Sequence, residues 1–395
     1  MKHLLLAMAS LPIQQSIAYL ALLVLPVAAP VVTEELALDP AFIGLYTGII
    51  FAVSTAAQMG CGGVIQRFGG LRAIQTSMVI LGVGLVISAA GSATVFLFAA
   101  VLMGIFYSVS TPGSSHILSK YSPPQLAPLT FSIKQTGVPL GGMAAGFIVP
   151  FFVSRFGWEG AFIGCGIICV FMALILQPLR SEFDRDREPG TKISPKDILR
   201  TFRSTIRMVS LHPELRNLAF AGFSFAGLQL AFTTYFVMYM VQDLGHSLGT
   251  AGWVFAVSQA FAIGARIFWG VVGSRWMTSR WLLAFLGVTM GAASVAVGLF
   301  DNQWSTSAIL LIAILISVTA IGWNGILLAE IARLAPSGNV GGTTGGVIGF
   351  ASFGSMAFPA VYSLLLSLTG SFSLGFYIAG IPAFIAGLLL MRKPS

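Results

Sequence analysis

Twelve stretches of 18 to 25 residues contain only two charged side chains between them, Lys134 and Arg266. They lie near 12 to 32, 42 to 64, 73 to 91, 95 to 118, 129 to 152, 160 to 177, 217 to 241, 248 to 272, 281 to 299, 306 to 329, 344 to 367 and 373 to 391. A bilayer core about 30 Å thick needs about 20 apolar residues per helical crossing. Only helices or closed barrels satisfy every backbone N–H and C=O without water. The stretches are too long and too uniformly apolar for barrel strands. The expected fold is therefore an all-α integral membrane protein with twelve transmembrane helices, numbered here as spans 1 to 12. With 56% of residues hydrophobic and 9% charged, against about 25% charged in an average soluble domain, a water-soluble enzyme is excluded. The run from Met1 to Pro30 has the pattern of a signal peptide. Its apolar part is long enough to cross, and an even helix count requires it as span 1.

The formal charge of +8 is informative through its placement. Eighteen of the 21 basic residues fall on one side of the expected membrane, among them Lys2, Arg67, Arg72, Lys120, Arg275, Arg280, Arg333 and Arg392. Arg155 alone falls on the other. The bias predicts that both termini are cytoplasmic in the inner (plasma) membrane, and it makes the net charge an insertion signal instead of a nucleic-acid surface. Nine of the eighteen belong to the one long connection, Pro178 to Arg216. Its first part, Ser181 to Gly190, reads as a solvated charged linker. Its second, Pro195 to Ser210, mixes basic residues with Ile198, Leu199, Phe202, Ile206 and Met208, an amphipathic helix on the membrane surface. The expected domains are a six-helix bundle over 1–177, a cytoplasmic linker over 178–216 and a second bundle over 217–395.

The halves repeat. A shift of 208 places Gly44 on Gly252, Gln58 on Arg266, Gly62 on Gly270 and Arg67 on Arg275; a shift of 213 places Pro123 on Pro336, Thr130 on Thr343 and Gly157 on Gly370. Two pseudo-symmetric six-helix units joined by a basic loop resemble the major facilitator superfamily of transporters, over essentially the whole chain. Gly62, Arg67 and Gly69 match that family's loop between helices 2 and 3, but Gln66 stands where the family has Asp, and Ser274 stands there in the second copy. In the family the acid supports a charge relay that gates the carrier, so neutral hydrogen bonds are expected to replace it here. Gly157-Trp158-Glu159-Gly160-Ala161-Phe162 resembles the connection into helix 6, and Gly137-Val138-Pro139-Leu140-Gly141-Gly142 partly resembles the antiporter motif of helix 5. Ala100 occupies the place of an Arg tied to proton coupling in drug exporters.

A cation at the bilayer centre costs about 2.5 to 3.5 kcal/mol on insertion scales, so it normally faces a polar cavity. Lys134, beside Gln135 in span 5, has Val347 as its repeat partner, as a substrate contact would and an insertion signal would not. The alternative is a stem that snorkels to the cytoplasmic interface. Arg266 in span 8 resembles the carboxylate-binding arginine of monocarboxylate transporters in this superfamily; Ala262 stands where those carry Asp. Its alternative is a contact with the loop between spans 2 and 3 or with helix-end carbonyls. No acid in the helix interiors answers either cation. Glu330 and Arg333 are placed to pair with each other or with Arg67 as a gate, alongside Gln66 and Arg275.

In this family helices 1, 4, 7 and 10 line the cavity. Their mid-helix polar and aromatic residues are Gln14, Gln15 and Tyr19; Tyr107, Ser110, Ser114 and Ser115; Gln229, Thr233 and Tyr235; Trp323 and Asn324. His116, without an acid partner in sequence, reads as an interfacial residue; a coupling proton would enter through the substrate or through His116. Bends are expected at Pro112-Gly113 and around Gly322 and Gly325. Cys61, Cys165 and Cys169 have no metal or disulfide spacing, and the chain shows no Walker loop, His-Glu-x-x-His or Cys/His cluster. The expectation is a monomeric, cofactor-free secondary transporter that takes up a small organic anion, a carboxylate, with a proton. An exporter of drugs or hydrophobic metabolites is the alternative.

Overall fold

The computed structural model describes residues 2–123, 126–190, 209, 211–335 and 340–392. Every regular element among them is helical. In the first half, span 1 is α1 (Lys2–Glu35), span 2 is α2 (Phe42–Gln58) with α3 (Cys61–Phe68), and span 3 is α4 (Gly70–Ser88). Span 4 is α5 (Ala93–Tyr107) with α6 (Ser110–Tyr121); spans 5 and 6 are α7 (Ala127–Gln135) and the long α8 (Gly137–Leu176), followed by the short α9 (Arg180–Phe183). In the second half, spans 7 to 9 are α10 (Pro213–Gln242), α11 (Leu248–Arg275) and α12 (Ser279–Gly298). Span 10 is α13 (Thr306–Ala320) with α14 (Asn324–Leu334), and spans 11 and 12 are α15 (Val340–Thr369) and α16 (Phe372–Met391).

Among the described residues ten helical segments are long and apolar enough to cross a membrane, or eleven when α2 and α3, bent by 64°, are joined. The twelfth lies inside Leu129–Phe183, whose 55 residues would run about 80 Å as one helix. Gly157 interrupts that run with φ 72° and ψ 176°, a conformation open to glycine and strained for other residues. Its repeat counterpart Gly370 also has positive φ, 66°. Spans 4 and 10 break at 108–109 and at 321–323, again one repeat apart. Span 10 thus breaks where its glycines predict. In span 4 the break lies a turn before Pro112, which falls in the first turn of α6, where its missing N–H costs no helical bond.

Three helix pairs make most of the contact between the halves: α8 with α11, α2 with α15, and α1 with α10. The tightest seals cluster at the end of the bundle that carries the 36–41 and 243–247 connections. Thr33 accepts a hydrogen bond from Gln242 Nε2 at 3.0 Å, and Ser363 donates to the Ala41 carbonyl at 2.6 Å. A methyl built on Gly146 would lie 2.6 Å from the Gly252 carbonyl oxygen, so spans 5 and 8 meet there backbone to backbone, as small residues allow in a membrane. This is the closed face; the opposite end, carrying Arg67, Lys120 and Arg275, is the basic face.

Part of the connection over Ser181 to Gly190, Glu182 to Asp184, is packed on the basic face, whereas Arg185 to Gly190 are exposed. Phe183 is fully buried. The Asp184 carboxylate accepts from Leu71 N at 2.7 Å and Arg72 N at 3.0 Å, at the start of α4. Helix N-termini present unpaired N–H groups and the positive end of the macrodipole, so a carboxylate is the matching partner. Lys120 Nζ donates to the Phe183 carbonyl at 2.7 Å, Tyr121 Oη to the Glu182 carbonyl at 3.1 Å, and Glu188 N to the Gln66 carbonyl at 2.7 Å. Replacing Asp184 by Ala is expected to cost about 1 to 2 kcal/mol, the range of lost helix caps. Thermal unfolding in detergent would show this as a midpoint lowered by a few degrees. The amphipathic helix expected over Pro195 to Ser210 lies outside the described residues, Val209 excepted.

Candidate functional site

Between the halves lies a cavity of about 790 Å³. Its walls come from those parts of the spans that run toward the basic face: Gln58 of α2, Ser115 of α6, Phe131 and Ser132 of α7, Leu328 and Ala329 of α14, Thr344 of α15. With the other end sealed, the cavity opens to the basic face. Spans 2, 5, 8 and 11 contribute walls as well as spans 1, 4, 7 and 10, on which the sequence reading drew.

The two intramembrane cations differ in their surroundings. Arg266 lines the cavity. Its Nη1 donates to the Gln135 carbonyl at 2.8 Å, the last residue of α7, and its Nε is buried without a partner among the described residues. The helix-end contact foreseen as an alternative therefore exists, and it leaves part of the guanidinium unused. Lys134 does not snorkel. It is 1% exposed and its Nζ donates to the Thr111 carbonyl and to Ser115 Oγ, each at 3.2 Å. It sits behind the wall that Thr111 and Ser115 form. Among the described residues neither cation is in an ion pair. These two hydrogen bonds from a charged group, each worth about 1.5 to 3 kcal/mol, offset part of the cost of burying Lys134.

The remaining candidates divide. Tyr19, Tyr107, Gln135, Gln229, Trp323 and Asn324 line the cavity with Arg266. Trp323 presents its ring, since its Nε1 is committed to the Ala320 carbonyl at 2.9 Å. Ser110, Ser114, Gln14 and Tyr235 do not line it. Gln14 Nε2 donates to Ser110 Oγ at 2.9 Å, tying span 1 to span 4, whereas Ser114 Oγ bonds back to the Ser110 carbonyl at 2.7 Å within its own helix. Tyr235 stacks on Tyr362 with ring centroids 3.9 Å apart and donates to the Pro359 carbonyl, joining spans 7 and 11 near the closed face. Thr233 is buried with its hydroxyl on the Gln229 carbonyl at 3.1 Å. Gln15 lies just behind the lining, its Oε1 accepting from Ser110 and Thr111. Thr111 was missed by the sequence reading. Its signal is the four-residue spacing from Ser115, which puts both on one helix face.

One expectation is corrected, and of the two alternatives for Glu330 the pairing with Arg333 is the one found. His116 has an acid partner: its Nε2 is 2.9 Å from Asp186 Oδ2, on the basic face beside Lys120 and away from the cavity wall. Glu330, 1% exposed, is held by Arg333 through both carboxylate oxygens, at 2.6 and 3.0 Å, and not by Arg67. The Arg67 guanidinium instead lies 5.3 Å from the Phe68 ring centroid. Gln66, Arg67 and Arg275 are exposed, so none of the three closes a gate in this conformation. Among the described residues no group of acidic, His and Cys side chains could hold a metal.

Twelve crossings in two related halves, with a central cavity open to one side, define a polytopic membrane carrier. A sequence model of the Major Facilitator Superfamily matches residues 13–347, and the chain belongs to that superfamily. It is 25% identical over 392 residues to the hexuronate transporter of Bacillus subtilis (strain 168), covering 93% of this chain and 89% of that one. An uncharacterised MFS-type transporter of Mycobacterium tuberculosis is 26% identical over 271 residues; the match covers 65% of this chain and 58% of that relative's length. In fold the chain resembles the peptide transporter POT crystallised with sulfate, with a TM-score of 0.77 at 16% identity over 99% of this chain and 94% of that one. It also resembles a bacterial homologue of the human lysosomal transporter Spinster in an inward-facing, occupied conformation, with a TM-score of 0.71 at 15% identity over 97% and 94% of the two chains.

Proposed function

We propose that this transporter takes up a small organic anion, a carboxylate, together with a proton, by alternating access. The observation that carries the proposal is Arg266. It is a cavity-lining guanidinium with an unused, buried Nε, and no acid lines the cavity among the described residues. A planar fork of N–H donors in a water-poor wall is best completed by a carboxylate. The relative named as a hexuronate transporter, whose substrate by that name is an organic anion, supports the same reading. The placement of basic residues puts the basic face in the cytoplasm, with both termini there and the cavity open inward. On this reading the chain works as a monomer in the inner membrane, its halves 1–177 and 217–395 rocking about the closed face, with 178–216 as the cytoplasmic linker. His116 is hydrogen-bonded to Asp186 on the basic face, away from the cavity wall, and the carboxylate that Arg266 holds enters ionised.

Uptake of labelled glucuronate and lactate into proteoliposomes tests this. An imposed gradient, alkaline inside, is expected to raise the initial rate of at least one of them severalfold, and a protonophore to remove the rise. Rates indifferent to the gradient would count against proton coupling. The competing reading is an exporter of hydrophobic compounds, favoured by the aromatic walls Phe51, Tyr107, Phe131 and Trp323. It predicts binding of tetraphenylphosphonium and no competition by carboxylates.

A further inference from the structure

The cavity also constrains the part of the ligand that is not charged. A carboxylate only accepts hydrogen bonds, so a site for a bare carboxylate on an apolar chain needs donors and apolar wall. Here the wall offers acceptors beside the cation. Gln135 Oε1 is buried with no partner among the described residues, on the residue whose backbone carbonyl holds Arg266. Gln229 and Asn324 bring further amides to the same cavity. Behind the lining, on two different faces of span 5, Gln15 presses on Gly137 and Gln259 on Gly142; among the described residues Gln15 Nε2 and both polar atoms of the Gln259 amide are likewise unpaired. An amide carbonyl placed against a carboxylate oxygen is lone pair against lone pair. Placed against a hydroxyl, which donates and accepts, it is satisfied.

Charge sets a second limit. Arg266 is the one cation in the lining among the described residues, because Lys134 is 1% exposed and committed to Thr111 and Ser115. A second carboxylate on the ligand would lose its water with no cation to meet it, and an unpaired buried charge is strongly disfavoured.

We infer that the cavity selects a polyhydroxylated monocarboxylate, with Arg266 taking the carboxylate and Gln135 sorting ligands by the hydroxyl next to it. The inference rests on the anion reading above. The test measures binding of gluconate, glucuronate, galacturonate, hexanoate, glucarate and tetraphenylphosphonium to the purified, detergent-solubilised full chain. At least one of the three hydroxylated monoacids is expected to bind ten times more tightly than both hexanoate and glucarate, since sites built around hydroxyl groups reject analogues that lack them. Hexanoate or glucarate binding as tightly as all three would overturn this inference and leave the anion reading standing. Binding of tetraphenylphosphonium alone would overturn both. A second measurement uses Gln135→Met, which keeps the backbone carbonyl that holds Arg266. The ratio of the best hydroxylated ligand to hexanoate is expected to fall about tenfold, and an unchanged ratio removes Gln135 from the sorting role.

Discussion

Replacing Arg266 by Ala is expected to lower the initial rate of carboxylate uptake at least thirtyfold. Arg266 is the cavity-lining cation, and removing one member of a buried, hydrogen-bonded charge pair costs about 2 to 5 kcal/mol, of which 2 kcal/mol alone is close to thirtyfold. The fold should survive. In the ligand-free chain the change removes one hydrogen bond, Nη1 to the Gln135 carbonyl, worth about 1.5 to 3 kcal/mol as a bond from a charged group, and it relieves a buried charge. Arg266→Lys separates charge from geometry. It keeps the cation and loses the planar fork, so its rate is expected to fall between the two. Rates are measured in proteoliposomes matched for protein content, with gel filtration as the check on folding. Native uptake by Arg266→Ala would remove this residue from the site.

The second large effect is expected at the closed face. A methyl on Gly146 would sit 2.6 Å from the Gly252 carbonyl oxygen and 2.9 Å from Ala256 N, both backbone atoms that cannot swing aside. Gly146→Val therefore forces spans 5 and 8 apart where they seal the cavity, and the conformation described here becomes unfavourable. Uptake is expected to fall tenfold or more while the protein remains folded. The direction of the shift can be read independently. In a background carrying Gln242→Cys, whose side chain sits at the seal next to Thr33, the added valine should raise labelling by a membrane-impermeant maleimide from outside the cell. Unaltered labelling together with native uptake would show that the contact is slack.

The twelve crossings were legible in the sequence because hydrophobic length is an average over some 20 residues, and a few misplaced ends do not disturb it. The repeat was legible for the same reason, and it carried further than expected. The 213-residue shift that pairs Gly157 with Gly370 pairs two positive-φ turns, and it also pairs the breaks of spans 4 and 10. What escaped the sequence was contact between distant parts. Nothing in Ser181 to Gly190 says that Asp184 will reach Leu71, 113 residues away, or that Asp186 will face His116. A short charged run has the same composition whether it is solvated or docked. Within the site, the choice between cavity and helix packing depends on where around a helix a residue falls. Ser110 bonds to span 1, whereas Thr111 and Ser115 border the cavity. That rotation is set by neighbouring helices and has no signature in the residues themselves.

The unpaired guanidinium also bears on what drives the transport cycle. Arg266 keeps its charge at any physiological pH, and Lys134, sealed behind the wall, contributes equally to the empty and the loaded forms. Each elementary charge moved through the full membrane voltage is worth about 2.3 kcal/mol per 100 mV. A negative cell interior therefore draws the empty, cationic carrier toward the state whose cavity opens inward. An anion bound with one proton adds no net charge, so the loaded carrier bears the same charge as the empty one and the outward and inward steps cancel electrically. On the proposed anion–proton reading, voltage then decides where the carrier waits, and the pH difference alone decides how far the substrate accumulates.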